Sequence, residues 1–278
     1  MPDFETLASG YGLIEGPRVD ADDNLYFSDV HHGGVHRRSP DGEITVVVPK
    51  RRGVGGIALH AEGGLVISGR DLSHVRPDGT SRIVWRSDAP GLNDLLPDAS
   101  GRIYTGTVRS DPFSVDGTER TTGECHRIEL DGSSSELYGG VSLTNGIGLS
   151  PDGRRIYHSD TASHHVICHD LEDDRPVNRR ALAESATFMP DGLAVDEAGT
   201  IWVADYGAGV VRGFSPEGEE RSTLAVPARA ITSLCFGGSD RRDLYVVTAD
   251  NSEDPARGGT VFRTRVDVPG APIALARV

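Results

Sequence analysis

The sequence of 278 residues has little cysteine and no long apolar run. Its three cysteines, Cys125, Cys168 and Cys235, are widely spaced, form no CxxC pair and cannot all pair with one another within one chain. This argues against a disulfide scaffold and favours a reduced, cytoplasmic setting. The first residues lack the basic and apolar regions of a secretory signal, and no segment is long enough to span a bilayer. We therefore expect a cytoplasmic protein that has no membrane as a partner.

Positive charge is also scarce. Twenty-eight lysine and arginine residues stand against 42 aspartate and glutamate residues, which gives a formal net charge of -14. Such a balance argues against binding to nucleic acid or to an anionic membrane surface, because both need basic patches. It is compatible with a bound cation and a small-molecule substrate.

What the sequence has in quantity is glycine, 35 residues in all, together with many Asp-Gly pairs between short β-branched and aromatic runs. A turn followed by an alternating strand recurs six times at intervals of about 40 residues. The aromatic or aliphatic anchors of the six copies are Tyr26, Val66, Tyr104, Tyr157, Trp202 and Tyr245. Each unit supplies four strands, and such units stack radially and close into a ring. The sequence predicts an all-β fold, a six-bladed β-propeller of four-stranded antiparallel blades that occupies residues 1–278 as a single domain.

The two ends of the chain complete the sixth blade in this interpretation. The strand GGTVFRTRVDV, near residue 260, lacks a fourth partner within its own unit, and FETLASG at residues 4–10 can provide it. Closing the ring in this way removes exposed sheet edges.

Polar residues recur at one phase of the innermost strands. Counting back from each anchor, five units place their residue 11 or 12 positions earlier, and the sixth offers Thr232 or Ser233. The residues in phase are Glu15, Gly55, Asn93, Asn145, Asp191 and that hydroxyl. Each Asn or Asp is also suited to an ordinary turn, but recurrence at one phase favours a shared site on the propeller axis.

Two carboxylates that converge in a narrow channel disfavour each other's ionisation, and a divalent cation removes that conflict. Oxygen ligands without Cys or His favour Ca²⁺, Mg²⁺ or Mn²⁺ over a structural zinc ion, while a catalytic Zn²⁺ also accepts carboxylate and water. The sequence thus predicts one divalent metal ion in the channel, with Ca²⁺ as the first choice and Mn²⁺, Mg²⁺ or Zn²⁺ as alternatives.

The chain resembles the SMP-30/gluconolactonase/regucalcin family along nearly its whole length. The resemblance is carried by IEGPRVD, NLYFSDVHHGGVHR, LND, LTNGIGLSPDGRRIYHSDT and MPDGLAVDEAGTIWVADYG. It implies a six-bladed propeller with one catalytic divalent metal and hydrolysis of a lactone. It also implies that Glu15, Asn145 and Asp191 are the metal ligands. Asn93 would contact the substrate or a water on the metal, and Glu119 would contact the substrate.

One position departs from the family pattern. Gly91 stands where members that act on sugar lactones often have an arginine, which would bind substrate hydroxyls or a carboxylate. A less polar lactone or another carbonyl compound is then a suitable substrate. His31 and Arg109, which lie near the expected mouth of the channel, are further candidates for substrate contact.

The expected mechanism is Lewis-acid activation of the carbonyl, with Asp191 taking a proton from the attacking water. A competing scheme has a metal-bound hydroxide attack directly. Alternative functions are phosphotriester hydrolysis, isomerisation or cyclisation of a carbonyl compound on the same scaffold, and a non-enzymatic binding propeller.

Overall fold

The computed structural model describes residues 3–111 and 120–278, in which the chain forms six four-stranded antiparallel sheets. Five sheets are built from four consecutive strands, and the sixth takes its outermost strand from the opposite end of the chain. The prediction of a six-bladed propeller is confirmed.

The strands of each blade run outward from the channel in chain order. Blade 1 consists of β2 (Ile14–Val19), β3 (Leu25–Asp29), β4 (Val35–Arg38) and β5 (Ile44–Val48). Blade 2 consists of β6 (Ile57–Leu59), β7 (Leu65–Ile67), β8 (Leu72–Val75) and β9 (Ser81–Trp85). Blade 3 consists of β10 (Gly91–Pro97), β11 (Ile103–Val108), β12 (Gly123–Ile128) and β13 (Ser134–Val141).

The second half of the ring repeats this arrangement. Blade 4 consists of β14 (Thr144–Leu149), β15 (Arg155–Asp160), β16 (His165–Glu172) and β17 (Arg175–Glu184). Blade 5 consists of β18 (Pro190–Val195), β19 (Ile201–Asp205), β20 (Val210–Phe214) and β21 (Glu220–Ala225). Blade 6 consists of β22 (Ile231–Gly237), β23 (Asp243–Thr248), β24 (Gly259–Arg265) and β1 (Glu5–Tyr11).

The ring is closed by the pairing of β1 with β24, as the sequence predicts. Glu5 lies opposite Arg263 and Thr6 lies opposite Phe262 in this antiparallel pair. Phe4 adds an edge-to-face contact with the Phe262 ring, at a centroid distance of 6.2 Å. Main-chain hydrogen bonds and an aromatic contact therefore hold the N-terminal strand in the last blade, and the chain continues from that strand into blade 1.

The core lies between neighbouring blades. Trp202 of blade 5 packs against Leu234 and Phe236 of blade 6, and Tyr157 of blade 4 packs against Leu193 and Val203 of blade 5. The anchors that reveal the repeat in the sequence are thus inter-blade packing residues. The three cysteines are buried, unpaired core residues.

The segment after β24, residues 266–278, crosses one end of the channel as a strap. The Ala271 amide donates to the Val195 carbonyl of blade 5 at 3.0 Å, the Arg277 amide to Gly101 of blade 3 at 2.9 Å, and the Ala276 amide to Leu59 of blade 2 at 2.9 Å. The strap connects non-adjacent blades, so substrate access is left to the other end.

The helices in the described ranges are two single 3₁₀ turns, Thr161–Ser163 and Pro255–Arg257. Within those ranges, no helix has the length and apolar character needed to cross a membrane.

A buried histidine network lies where blades 3 and 4 meet. The His158 ring lies 2.6 Å from the Thr144 hydroxyl and 3.1 Å from the Tyr138 hydroxyl, and the Tyr138 ring packs on His169. Burial lowers the pKa of His158 to about 3 and the pKa of His169 to about 4. Both rings are therefore neutral in the folded protein at mildly acidic pH.

This network predicts acid sensitivity of the fold. An unfolded chain protonates His158 and His169 below their ordinary pKa of about 6.5, whereas the native protein excludes those protons until much lower pH. Stability is therefore fully present above pH ~6.5 and is lost as the pH falls, by about 1.4 kcal/mol per pH unit for each histidine. Urea unfolding between pH 7 and 5 measures this slope, and His158→Gln should reduce it. Parallel stability profiles for the variant and the wild type would contradict the assignment.

Candidate functional site

The innermost strands of five blades are irregular at the positions that face the axis. The pairing of strands one and two shifts between Glu15 and Arg18, Leu92 and Leu95, Thr144 and Ile147, Pro190 and Leu193, and Ile231 and Ser233. A bulge inserts an extra residue into one strand and changes the direction of a side chain. In blades 3, 4 and 5 the bulge contains the residue that the sequence places on the axis, in blade 6 it contains Thr232, and in blade 1 it begins directly after Glu15.

Glycine permits the blades to approach closely at this hub. A Cβ atom at Gly55 would lie 1.8 Å from the Asn93 amide oxygen, and one at Gly146 would lie 2.4 Å from the main-chain nitrogen of Leu193. The absence of a side chain in blade 2 therefore provides the space for the Asn93 side chain of blade 3.

Aspartates at the ends of the second strands accept hydrogen bonds from main-chain amides that lie just before the axial residues. Asp29 accepts a hydrogen bond from the Gly12 amide at 3.0 Å, and Asp160 accepts one from Leu143 at 2.9 Å. In blade 5, Asp205 accepts one from Met189 at 3.1 Å. Each donor lies two or three residues before Glu15, Asn145 or Asp191.

These three aspartates position the predicted ligands, and the sequence analysis did not assign them a role. The sequence nevertheless marks these aspartates, because Asp29, Asp160 and Asp205 are the last residues of the repeated strands YFSD, YHSD and WVAD. The same repeat that identifies the blades therefore also marks the residues that fix the hub.

A chain of hydrogen bonds joins blades 3, 4 and 5 across the hub. The Asn93 amide donates to the Asn145 side-chain oxygen at 2.5 Å and to the Thr144 carbonyl at 2.8 Å. The Asn145 amide donates to the Thr161 hydroxyl at 2.7 Å, and that hydroxyl donates to the Pro190 carbonyl at 2.6 Å. The amide nitrogen of Asn145 is thus committed, while its oxygen retains a lone pair for another partner.

The two carboxylates lie buried beside this chain. Burial, followed by the charges of Asp191 and Asp94, raises the pKa of Glu15 well above its usual range, while the Gly16 amide and Arg18 oppose the shift. Burial and the charge of Asp94 likewise raise the pKa of Asp191, which the Gly192 amide opposes. Without a bound cation, little positive charge lies near Glu15 and Asp191 to balance their negative charges.

The atoms present fit a divalent cation. Oδ1 of Asp191 is buried and has no hydrogen-bond partner among the described residues. Together with the Glu15 carboxylate and the Asn145 oxygen, it forms an all-oxygen donor set, the kind that Ca²⁺, Mg²⁺ and Mn²⁺ prefer. No group of three or more His, Cys, Asp or Glu side chains forms a metal cluster in residues 3–111 and 120–278, so the candidate site depends on the amide.

The site forms part of the lining of a cavity of about 650 Å³ at the open end of the channel. Of the residues singled out in the sequence, this cavity brings together Glu15, Asn93, Asn145, Asp191 and Arg109. Leu13, Leu92, Leu143 and Met189 supply much of its apolar wall. A small organic molecule would therefore bind with one polar end at the hub.

The other candidates for substrate contact differ in their surroundings. Arg109 forms ion pairs with Glu124 at 2.8 Å and Asp88 at 2.9 Å, so its charge is already compensated. His31 is exposed on the loop after β3 and does not belong to the described lining of the cavity. Glu119 lies outside the described residues.

The cavity also contains residues that the sequence analysis missed. Gly91 lines it as expected, and Arg52 and Arg70 of the neighbouring blade line it as well. Arg52 has no ion pair or hydrogen bond to any residue in the described ranges, so its charge is available to a ligand. Tyr206 lines the wall near both carboxylates, and burial, Asp191, Asp250 and Glu15 raise its pKa, so the phenol remains a proton donor. These contacts are not periodic in the sequence, because they arise from loops.

The chain is similar to a known protein family, to named relatives and to a solved structure. The SMP-30/gluconolactonase/LRE-like region matches residues 13–250. The chain is 32% identical to the 6-deoxy-6-sulfogluconolactonase of Pseudomonas putida over 88% of each chain. It is 30% identical to the pentonolactonase XacC of Haloferax volcanii over 94% of this chain and 93% of the relative. A solved calcium-binding protein, regucalcin, of Agrobacterium tumefaciens shares the fold with a TM-score of 0.86, at 22% identity, over 100% of this chain and 98% of that one.

The close approach at Gly55 generates a prediction with a matched control. Gly55→Ala should displace the Asn93 amide and cost about 2–4 kcal/mol of stability, through overpacking and two lost hydrogen bonds. Gly91→Ala changes the same cavity, but its Cβ would be 3.8 Å from the nearest neighbouring atom. Urea unfolding should therefore show a loss for Gly55→Ala and stability close to wild type for Gly91→Ala. Equal stability of the two variants would contradict the packing described here.

Proposed function

The chain belongs to the SMP-30/gluconolactonase/LRE-like family, and from that premise we propose that it is a metal-dependent lactonase centred on Glu15, Asn145 and Asp191. The prediction of a lactonase is confirmed for the family by the two curated relatives, which are named as lactonases of sugar acids. The observation that carries the proposal for this chain is Oδ1 of Asp191, which has no hydrogen-bond partner in the described part of the chain and lies buried beside a second carboxylate at the base of an open cavity.

Glu15, Asn145 and Asp191 would hold the cation, with Ca²⁺ as the first choice and Mn²⁺, Mg²⁺ and Zn²⁺ as alternatives. When bound there, a divalent ion supplies polarisation of the lactone carbonyl and a lower pKa for water. The protein holds Asn145 in the required orientation through Thr161 and Asn93. It excludes bulk water from the hub by burial of both carboxylates.

The reaction opens the lactone ring by hydrolysis. Water adds to the carbonyl carbon, and Asp191 takes a proton from it on the carboxylate oxygen that does not hold the cation. The bond between the carbonyl carbon and the ring oxygen then breaks, and Asp191 passes its proton to that oxygen, which becomes the hydroxyl of the hydroxy-acid product. The buried position of Asp191 keeps the proton at the reacting centre.

The substrate would lie in the cavity above the hub. Asn93 and Tyr206 are placed to contact its polar end, and Arg52 to receive an anionic or hydroxyl group. The first relative is named for a sulfonated sugar lactone, which makes an anionic lactone a reasonable member of a substrate panel. Arg109, His31 and Glu119 remain predicted contacts, and a cytoplasmic location remains a prediction.

Phosphotriester hydrolysis and isomerisation use the same kind of centre, so they remain alternatives that a substrate panel separates. A purely binding propeller is disfavoured by the hub itself. Burying two carboxylates without counter-charge costs several kcal/mol, and a module that binds partners on its rim gains nothing from it.

Removal of either carboxylate should abolish function together with metal binding. In Glu15→Gln and Asp191→Asn we expect kcat/KM for a lactone to fall by at least roughly 10²-fold, because an electrostatic contact at the reacting group is lost. Elemental analysis should show that the metal content of the purified variants falls as well. Thermal stabilisation by added Ca²⁺ or Mn²⁺, expected for an ion that binds only the folded state, should also disappear.

Glu219→Gln is a suitable control, because Glu219 is an exposed carboxylate on a blade 5 hairpin. It should retain wild-type metal content and activity. If Glu15→Gln and Asp191→Asn behave as Glu219→Gln does, the proposed centre is wrong. If the variants lose metal but the wild type opens no lactone, the centre stands and the reaction is another one.

Tyr206 provides a test of the substrate's position. Tyr206→Phe removes the phenol hydroxyl and leaves the ring, so the cavity shape is kept. We expect kcat/KM to fall by roughly tenfold, the equivalent of one hydrogen bond of about 1–1.5 kcal/mol, with unchanged metal affinity. Wild-type kinetics in this variant would show that Tyr206 makes no productive contact.

A further inference from the structure

A third carboxylate lies at the hub, immediately below the proposed metal centre. In four blades the residue after the axial position is Gly16, Gly56, Gly146 or Gly192. Blade 3 has Asp94 at this place, and the Asp94 residue is only 6% exposed. A carboxylate where the other blades have no side chain needs a partner, because burying an unpaired charge is costly.

The partner is Arg18 of blade 1. Its Nη2 lies 3.4 Å from Oδ1 of Asp94 and donates to the Leu95 carbonyl at 3.1 Å, while Nη1 donates to the Pro17 carbonyl at 2.7 Å. Asp94 also accepts from the amide of Leu95 at 2.8 Å and from that of Ile147 at 3.1 Å. Arg18 is 5% exposed, so solvent screens this pair little.

The pair separates two cavities of the channel. Glu15, three residues before Arg18, lines the open cavity above. Arg18 lines a second cavity, of about 270 Å³, which is bounded by Ala271 and Ile273 of the strap. The Arg18–Asp94 pair is therefore the floor of the proposed metal centre rather than part of the substrate wall.

The floor contributes to the charge at the hub. Glu15, Asp191 and Asp94 bring three negative charges and Arg18 brings one positive charge, which together equal the charge of a divalent cation with opposite sign. Asp94 accepts from the Ile147 amide, two residues after the proposed ligand Asn145, and Arg18 lies three residues after Glu15, so the pair adjoins two of the strands that carry the ligands. The floor and the ligand carboxylates thus interact electrostatically.

We propose that the Arg18–Asp94 ion pair is a positioning element that adjusts the net charge of the hub and thereby sets its affinity for the divalent cation. This inference rests on the proposed function, since it takes Glu15, Asn145 and Asp191 as the ligands. Neither Arg18 nor Asp94 binds the ion. Arg18 offsets the charge that Asp94 adds, and Asp94 in return anchors the blade 3 bulge that carries Asn93.

An electrostatic role makes a prediction that a merely structural role does not. Loss of a structural contact should weaken cation binding whichever partner is removed. Loss of charge should act in opposite directions, because Arg18→Met makes the hub more negative and Asp94→Asn makes it less negative. The double variant Arg18→Met/Asp94→Asn should return the charge, and the affinity, toward wild type.

The experiment is calorimetric titration of metal-free protein with Ca²⁺ and, separately, Mn²⁺, at fixed pH and ionic strength. We expect Arg18→Met to bind at least roughly tenfold more tightly than wild type and Asp94→Asn at least roughly tenfold more weakly, from Coulomb energies over a few ångströms at intermediate dielectric. The double variant should lie within about threefold of wild type, as a balanced hub requires. Arg221→Met, an exposed arginine of blade 5, should bind as wild type does.

Circular dichroism and thermal unfolding will establish that each variant is folded. Removing Arg18 alone leaves a buried carboxylate unpaired and can prevent folding. In that case Asp94→Asn and the double variant decide the matter, since the proposal requires weak binding in the first and recovery in the second. Wild-type affinity in Asp94→Asn, or equally weak binding in the double variant, would overturn the inference. If the wild type binds neither ion, the proposed metal centre fails as well.

Discussion

The organising constraint of this protein is the repulsion between carboxylates buried at the hub of a closed ring. Glu15 and Asp191 come from blades 1 and 5, 176 residues apart in the sequence, and the propeller brings both to one cavity. Burial raises the pKa of each, and the charge of Asp94 adds to the shift in both. Burying these negative charges close together lowers the stability of the folded protein, and a bound cation would restore that stability.

The rest of the structure supplies the rigidity that this arrangement demands. Pairing of β1 with β24 closes the ring, and the strap over residues 266–278 ties blades 2, 3 and 5 together at the closed end. Nearer the site, Asp29, Asp160 and Asp205 each hold a main-chain amide shortly before a proposed ligand. Contacts within the blades and contacts from the strap therefore both fix the hub. They keep the oxygen atoms of the proposed ligands close together although their charges repel.

The channel combines two environments along one axis. Its open end has an apolar wall with a few polar groups, among them Tyr206 and Arg52, and its floor is an ion pair whose guanidinium also donates to main-chain carbonyls. Chemistry of a small molecule suits the boundary between them, because water is limited there and charge is concentrated. The chain belongs to the SMP-30/gluconolactonase/LRE-like family, and two of its relatives are named as lactonases.

Much of the fold could be predicted from the sequence, because the blade repeat depends on turn residues and on alternating strands. Both are local features of the chain. Tyr26, Tyr157 and Trp202 mark the blades because each packs against a neighbour in the same way. The axial phase of Glu15, Asn93, Asn145 and Asp191 follows from that repeat, and the structure places all four at one cavity.

The contacts of Arg52 and Tyr206 with the cavity, the strap across the closed end and the pairing of Arg18 with Asp94 were decided only by the tertiary structure. Arg18 and Asp94 are 76 residues apart and belong to different blades. No local periodicity relates them. Local pattern determines which strand a residue occupies, whereas the partner of a buried charge depends on which distant strands the closed ring brings into contact.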